Sequence, residues 1–221
     1  MLLRSIFFLL LFSTLPVAAQ DTTNDAPMRT LLGGDKQLHH GGWGAPTIHY
    51  TRIMDQDALL VGGRGAWIID HRLSIGIAGH GLVTNVGNAA YDAHLVANGE
   101  VLRRSSSLYM GYGGLLLEPV IAYRSPVHIT LPVIIGAGGV TYGYHSELPD
   151  DFDPLEYDDT YDAQAFFVVE PGVEVEMDVI PLVRVGIGAS YRYTTDMNLP
   201  ATAKDALHGI NAGISLKVGC F

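Results

Sequence analysis

Cysteine and basic charge are what this chain has least of: one Cys, Cys220, and 13 Lys and Arg against 23 Asp and Glu in 221 residues. One thiol excludes an internal disulfide, even where an exported compartment would permit one. Cys220 therefore reads as a small apolar filler of the last segment. A net charge of −10 without any basic stripe excludes a nucleic-acid partner, because a phosphate backbone must be neutralised by Lys and Arg. Long apolar helices are missing too. The best candidate for a membrane-crossing helix, Ser125–Ser146, is free of Lys, Arg, Asp and Glu, yet it contains Pro126, Pro132, Gly136, Gly138, Gly139 and Gly143 among many β-branched residues. That composition breaks helices and suits strands. Since a closed barrel is the other way to satisfy backbone polar groups in lipid, apolar character without helices points to strands in a bilayer or to a soluble all-β fold.

The N-terminus reads as a secretory signal. Arg4, the apolar run Ile6–Phe12 and the small residues Val17-Ala18-Ala19 before Gln20 make residues 1–19 a signal peptide. Its apolar core is too short for a stable anchor, and no Cys stands at the cleavage point to support a lipoprotein. Losing Arg4 with the signal turns −10 into −11. What remains suffices for one domain.

Period-two alternation locates the strands. From Val183 to Tyr193 the apolar positions are Val183, Val185, Ile187, Ala189, Tyr191 and Tyr193, against Arg184, Gly186, Gly188, Ser190 and Arg192. Val169–Val179 sets Val173, Val175 and Met177 against Glu170, Gly172, Glu174, Glu176 and Asp178, and Leu73–Val83 sets Ile75 and Ile77 against Ser74, Gly76, Ala78 and His80. With less regular runs this predicts eight strands, at about 41–54, 57–70, 73–86, 107–123, 127–144, 164–178, 181–195 and 207–221. Eight is even, as single-chain bacterial barrels require. Apart from the first, about two residues at Met54–Asp57, the connections alternate as well. Those around Asp70–Leu73, Arg124–Pro126 and Val179–Ile180 are short, whereas Gly87–Ser106, His145–Ala163 and Asp196–Ala206 are long. Membrane barrels keep short turns on the periplasmic side and long loops outside.

The last segment alternates from Ile210 to Cys220 and closes on Phe221. A chain with an export signal and such an ending resembles bacterial outer-membrane β-barrels. Gly41-Gly42-Trp43-Gly44-Ala45-Pro46, Gly62-Gly63-Arg64-Gly65-Ala66-Trp67-Ile68-Ile69 and Tyr112-Gly113-Gly114 are similar to a group of small proteins of that class. The resemblance implies an all-β fold, an eight-stranded antiparallel up-and-down transmembrane β-barrel over 41–221. It implies a bacterial outer-membrane location with both barrel termini periplasmic and residues 20–40 as a short periplasmic segment. Membrane lipid, lipopolysaccharide and the barrel-assembly machinery are the partners it brings with it. Phe221 itself falls on the face opposite Ile210, Ala212, Ile214, Leu216, Val218 and Cys220.

Several groups of residues invite a functional reading. Gly62–Gly65 and Gly136–Gly139 look like phosphate-cradling loops but lie inside strands with no following helix, so they make room for larger inward neighbours instead. Pro46, Pro119, Pro132 and Pro171 interrupt strands and call for bulges near the periplasmic rim. Alternation points Arg64, Glu170, Glu174, Glu176, Arg184 and Arg192 into the lumen, with Asp178 and His80. Opposite charges on neighbouring strands are then within pairing distance, and form a salt-bridged plug because buried charges must be paired.

One external loop is strongly acidic. Glu147, Asp150, Asp151, Asp153, Glu156, Asp158, Asp159 and Asp162 follow one another without a Lys or Arg. Asp150, Asp151, Asp153, Asp158 and Asp159 are oxygen ligands of the type that hold Ca²⁺, shared with lipopolysaccharide phosphates, although the glycine and ligand spacing of a calcium loop are absent. The interleaved Phe152, Leu155, Tyr157 and Tyr161 offer a contact surface for another protein. Catalysis by a Ser–His pair would draw on His80, His128 or His145 with Ser74 or Ser146, and no motif links any two of them. No cofactor is implied. The sequence thus reads as a closed, non-enzymatic barrel with a structural or surface-interaction role. A passive carrier of small apolar molecules and a soluble secreted lipid-binding barrel are the alternatives.

Overall fold

A computed structural model describes residues 39–102, 104–143 and 162–221. The signal peptide, nearly all of 20–40 and the acidic loop up to Tyr161 lie outside them. In chain order the elements are β1 His40–Ile53, β2 Gln56–Ile69, β3 Leu73–Leu82, α1 Ala89–Ala97, β4 Ser107–Ile121, β5 Val127–Thr130, β6 Val133–Gly143, β7 Asp162–Ile180, β8 Val183–Thr194 and β9 Gly209–Cys220. Each strand pairs antiparallel with its neighbours, and β1 pairs with β9 from Gly42↔Cys220 to Thr51↔Asn211. The sheet is therefore closed. β5 and β6 both lie between β4 and β7, so together they form one stave and the ring has eight. No described helix is long and apolar enough to cross a membrane.

The hairpin turns explain the short connections. Met54 and Asp55 (φ 50° and 62°), and Asp70 and His71 (φ 50° and 57°), are paired left-handed residues, the twist that two-residue hairpins favour. The proline expectation needs correction. Register runs unbroken past Pro132, with Val120↔Thr130 on one side of it and Leu117↔Val133 on the other, and likewise Val127↔Met177 and Val133↔Pro171. No extra residue is inserted. The stave opens for two residues, and flanking carbonyls take over: Leu131 N–H donates to Pro119 O at 3.0 Å and Gly172 N–H to Pro132 O at 2.7 Å. The register shift lies elsewhere in β7, between Asp178 and Ile180.

Alternation sorts the two faces. Val173, Val175, Met177, Ile187, Tyr191, Tyr193, Ile210, Ile214 and Val218 point out and are exposed. Between Arg52 and Asp57 at the long-loop end and the short turns, the outward positions carry no Asp, Glu, Lys or Arg. Tyr50, Tyr109, Phe167 and Tyr193 border this apolar band near the long loops, and Trp67 near the short turns. Aromatic girdles around an apolar band are what a bilayer selects. In water such a surface would be a large apolar patch.

The helix α1, within the connection Gly87–Ser106, has no counterpart among the sequence expectations. Asn88 caps it, its side-chain oxygen accepting from Ala90 and Tyr91 N–H at 3.1 and 3.2 Å while its amide donates to Tyr142 Oη at 2.9 Å. Tyr91 stacks on Tyr142 with ring centroids 4.2 Å apart, and Tyr91 and Leu95 join Leu60, Leu108, Met110, Phe166, Met197 and Leu207 in one apolar cluster. The helix thus corks the long-loop end of the lumen. Asn88→Ala should cost about 1 kcal/mol through the lost cap, and amide exchange across 89–97 should rise while that of β8 stays unchanged.

Candidate functional site

The lumen below this cork holds a layer of buried charge. Glu118, Glu170, Glu174 and Glu176 face Arg64, Arg192 and Lys217, all within 7 % of full burial. Lys217 Nζ donates to Glu118 Oε1 at 2.5 Å and to Glu176 Oε1, with the Trp43 ring centroid 4.1 Å away. Arg64 Nη2 donates to Glu174 Oε2 at 2.8 Å, and Nη1 lies 3.7 Å from Glu118. Glu176 also accepts from Thr130 Oγ1 at 2.8 Å and lies 3.2 Å from His128 Nε2. Ser215 Oγ donates to Glu174. Nearer the cork, Glu170 accepts from Tyr112 at 2.5 Å, Ser190 at 2.6 Å and Asn211 at 2.9 Å. Arg192 Nε donates to Leu207 O at 2.6 Å and Nη1 to Asn211 Oδ1 at 3.3 Å.

The pairing runs across the lumen, which corrects the expectation of ion pairs between neighbouring strands. Register puts Gly188 opposite Glu174 and Gly186 opposite Glu176 on β8, so no β8 cation stands beside either acid. The space above Gly186 is taken by the Glu174 carboxylate, which an added Cβ would strike. The acids therefore reach Arg64 on β2 and Lys217 on β9. Neighbouring strands do pair at the two ends: Arg52 Nε lies 3.8 Å from Asp57 near the long loops, and at the short-turn rim Arg184 Nε lies 2.6 Å from Asp178 while Arg184 Cζ sits 3.7 Å from the Phe221 ring centroid. Arg184 thus lies at the edge of the lumen and Arg64, Glu170, Glu174, Glu176 and Arg192 lie deep inside it.

Glu118 and Lys217 were absent from the sequence reading, and Lys217 is the hub. Each stands alone among apolar residues, in Leu115-Leu116-Leu117-Glu118 and Leu216-Lys217-Val218. Parity was the available signal: Lys217 shares its face with Asn211, Gly213 and Ser215. Four buried carboxylates share this layer with three buried Arg and Lys, and His128 lies against Glu176. Oxygens of Glu118, Glu174 and Glu176 come within 4.8 Å of one another, a spacing that could hold a metal ion, but Lys217 and Arg64 already bring two positive charges to them. The taking of such ions from water costs several kcal/mol each, so the pairs offset that cost rather than adding net stability. Little space is left. A cavity of about 30 Å³ lies between His49, Arg64, His80 and Glu170, room for about one water molecule.

The other candidates separate. Ser74 is buried and accepts from Trp43 Nε1 at 3.2 Å, His128 belongs to Glu176, and neither His80 nitrogen has a hydrogen-bond partner, so no Ser–His pair forms among the described residues. His145, Ser146 and the acidic-loop residues Asp150, Asp151, Asp153, Asp158 and Asp159 lie outside the described residues.

No protein-family model matches the sequence, and none of the curated proteins matches it. Solved structures do. Neisserial surface protein A superposes with a TM-score of 0.54 at 11 % identity, over 83 % of this chain and 99 % of that one. This chain has the fold of a small outer-membrane barrel. A major outer membrane protein from Thermus thermophilus (TM-score 0.49, 7 % identity, 80 % of this chain and 98 % of that one) is also similar. So is the N-terminal β-barrel domain of Pseudomonas aeruginosa OprF (TM-score 0.41, 9 % identity, 80 % and 96 %).

Proposed function

We propose that this chain is exported, inserts in the bacterial outer membrane with both barrel termini periplasmic, and acts there as a closed, non-enzymatic barrel with a structural or surface-interaction role. The observation that supports this most is the filled lumen: ion pairs cross its middle and α1 corks its long-loop end. Eight strands enclose little more than their own side chains. With the interior occupied, the long loops are the part free to meet a partner, and the acidic one suits divalent cations shared with lipopolysaccharide phosphates. In planar bilayers the purified protein should give no large, stable channel. Sustained conductance in the porin range would sink the closed-barrel reading.

A carrier of small apolar molecules is the second reading. A groove of about 760 Å³ at the long-loop rim, lined in part by Tyr50, Met54, Ala206 and Ile210, favours it, since Met54 and Ala206 also touch the upper apolar cluster. An apolar solute entering there would still have to pass the layer of Glu, Arg and Lys below.

A further inference from the structure

The short-turn rim gathers positive charge that the barrel itself does not use. The β2–β3 turn and the β4–β5 connection lie side by side because β3 and β4 pair up to Leu73↔Pro119. Between them, Tyr123 is the centre of a cluster. Arg72 Cζ lies 5.2 Å and Arg124 Cζ 5.5 Å from its ring centroid, and the His71 ring stacks on it within 5° at 6.2 Å. The His39 ring lies beyond, tilted by 33° and 5.5 Å from His71. Asp70, His71 and Ala122 reach these positions with left-handed backbones, φ 50°, 57° and 60°, an arrangement that costs non-glycine residues energy. Arg72 also donates to Tyr123 Oη at 3.4 Å, and that bond holds the phenol below its usual pKa.

Neither guanidinium has a buried task. Arg72 lies 3.7 Å from the exposed Asp70, and among the described residues Arg124 makes no ion pair. The chain has few cations to spend, so two converging on one half-buried ring, with a single carboxylate beside them, is a concentration of positive charge. The cluster sits directly at the margin of the apolar band: Ile121 and Val127, both exposed, flank the connection that carries Tyr123 and Arg124. Lipid phosphate lies at this level of a bilayer. An Arg fork matches phosphate geometry, and an aromatic face steadies a guanidinium beside it.

We propose that this rim binds the phosphate of an anionic phospholipid, with Arg72 and Arg124 as donors and Tyr123 as the ring that holds them together. The site rests on the membrane reading above, which turns this rim toward the phospholipid leaflet rather than toward lipopolysaccharide. The test uses the full mature chain folded into phosphatidylcholine vesicles that contain phosphatidylglycerol as a minor component, followed by native mass spectrometry of the lipids that remain bound. Wild type should retain phosphatidylglycerol in preference to phosphatidylcholine. The double variant Arg72→Gln/Arg124→Gln should lower that preference roughly tenfold, the loss of about one charge-assisted hydrogen bond. Arg52→Gln/Lys204→Gln at the opposite end should leave it intact, and heat-modifiable gel mobility verifies that all three fold. Equal retention by wild type and the rim variant overturns the site. Displacement of the lipid by inorganic phosphate at matched concentration overturns the lipid as its ligand. Failure of wild type to insert overturns the membrane reading and the site with it, whereas insertion without lipid preference overturns the site alone.

Discussion

Replacing Lys217 with Met should destabilise the folded barrel by about 3–5 kcal/mol, the usual cost of removing one partner from a buried ion pair. The ammonium touches both Glu118 and Glu176, so its loss leaves two carboxylates facing each other in the lumen with Arg64 as the nearest compensation. Two like charges about 4 Å apart repel by roughly 4 kcal/mol at an effective dielectric of about 20. Protonation of one acid would cap the penalty near that figure. Adding Glu118→Gln to Lys217→Met should restore part of the stability, because the repulsion goes with the second charge. Lys204→Met, whose side chain is largely exposed, should leave the midpoint where it was. Urea unfolding from vesicles reads wild type, both single variants, the double variant and the Lys204→Met control. Additivity of Lys217→Met and Glu118→Gln would mean that the two side chains do not meet.

Gly136→Ala should be among the most damaging of the small substitutions in the wall. An added Cβ would run into the Gly113 carbonyl and come 2.6 Å from the Gly114 Cα of β4, and backbone in a closed ladder has nowhere to retreat. Overpacking of this kind costs about 1–3 kcal/mol, and here it acts on ring closure itself. Gly139 provides the comparison in the same strand, since a Cβ there meets nothing within 4 Å. Gly139→Ala should be neutral or slightly stabilising, because Ala restricts the unfolded chain. The yield of heat-modifiable barrel after refolding separates the two. Equal yields would show that β4 and β6 do not approach as closely as described.

The wall of this barrel was legible because one rule, apolar or small and uncharged, holds at the outward positions of its band. In β8, Val183 to Tyr193 spells the rule out, and in β7 the acids Glu170, Glu174 and Glu176 mark the opposite face. What the wall encloses was less so. Register on β8 places glycines opposite Glu174 and Glu176, and sequence alternation alone does not say that their partners lie across the lumen. Lys217 hid in a segment that reads as apolar, although its parity with Asn211 and Ser215 pointed inward. The helix α1 is short and owes its place to Tyr142 and the apolar cluster below it, a kind of stabilisation that leaves little trace in propensity. Phe221 shows the opposite case: its parity set it apart from Ile210–Cys220, and it packs beside Trp43 and Ile68 at the inner edge under Arg184.

The central claim, that the apolar outer face of this barrel lies in lipid, is tested most directly by quenching from within the bilayer. With Trp43 and Trp67 replaced by Phe, a single Trp is placed at Ile77 or Ile187, outward positions 72 % and 64 % exposed. After folding into vesicles, nitroxide lipids labelled near the bilayer centre should quench both strongly, and a Trp at Ala203 in the β8–β9 loop should be quenched weakly. Recovery of the folded protein in the aqueous phase, with Ile77→Trp and Ile187→Trp quenched no more than Ala203→Trp, would contradict the account.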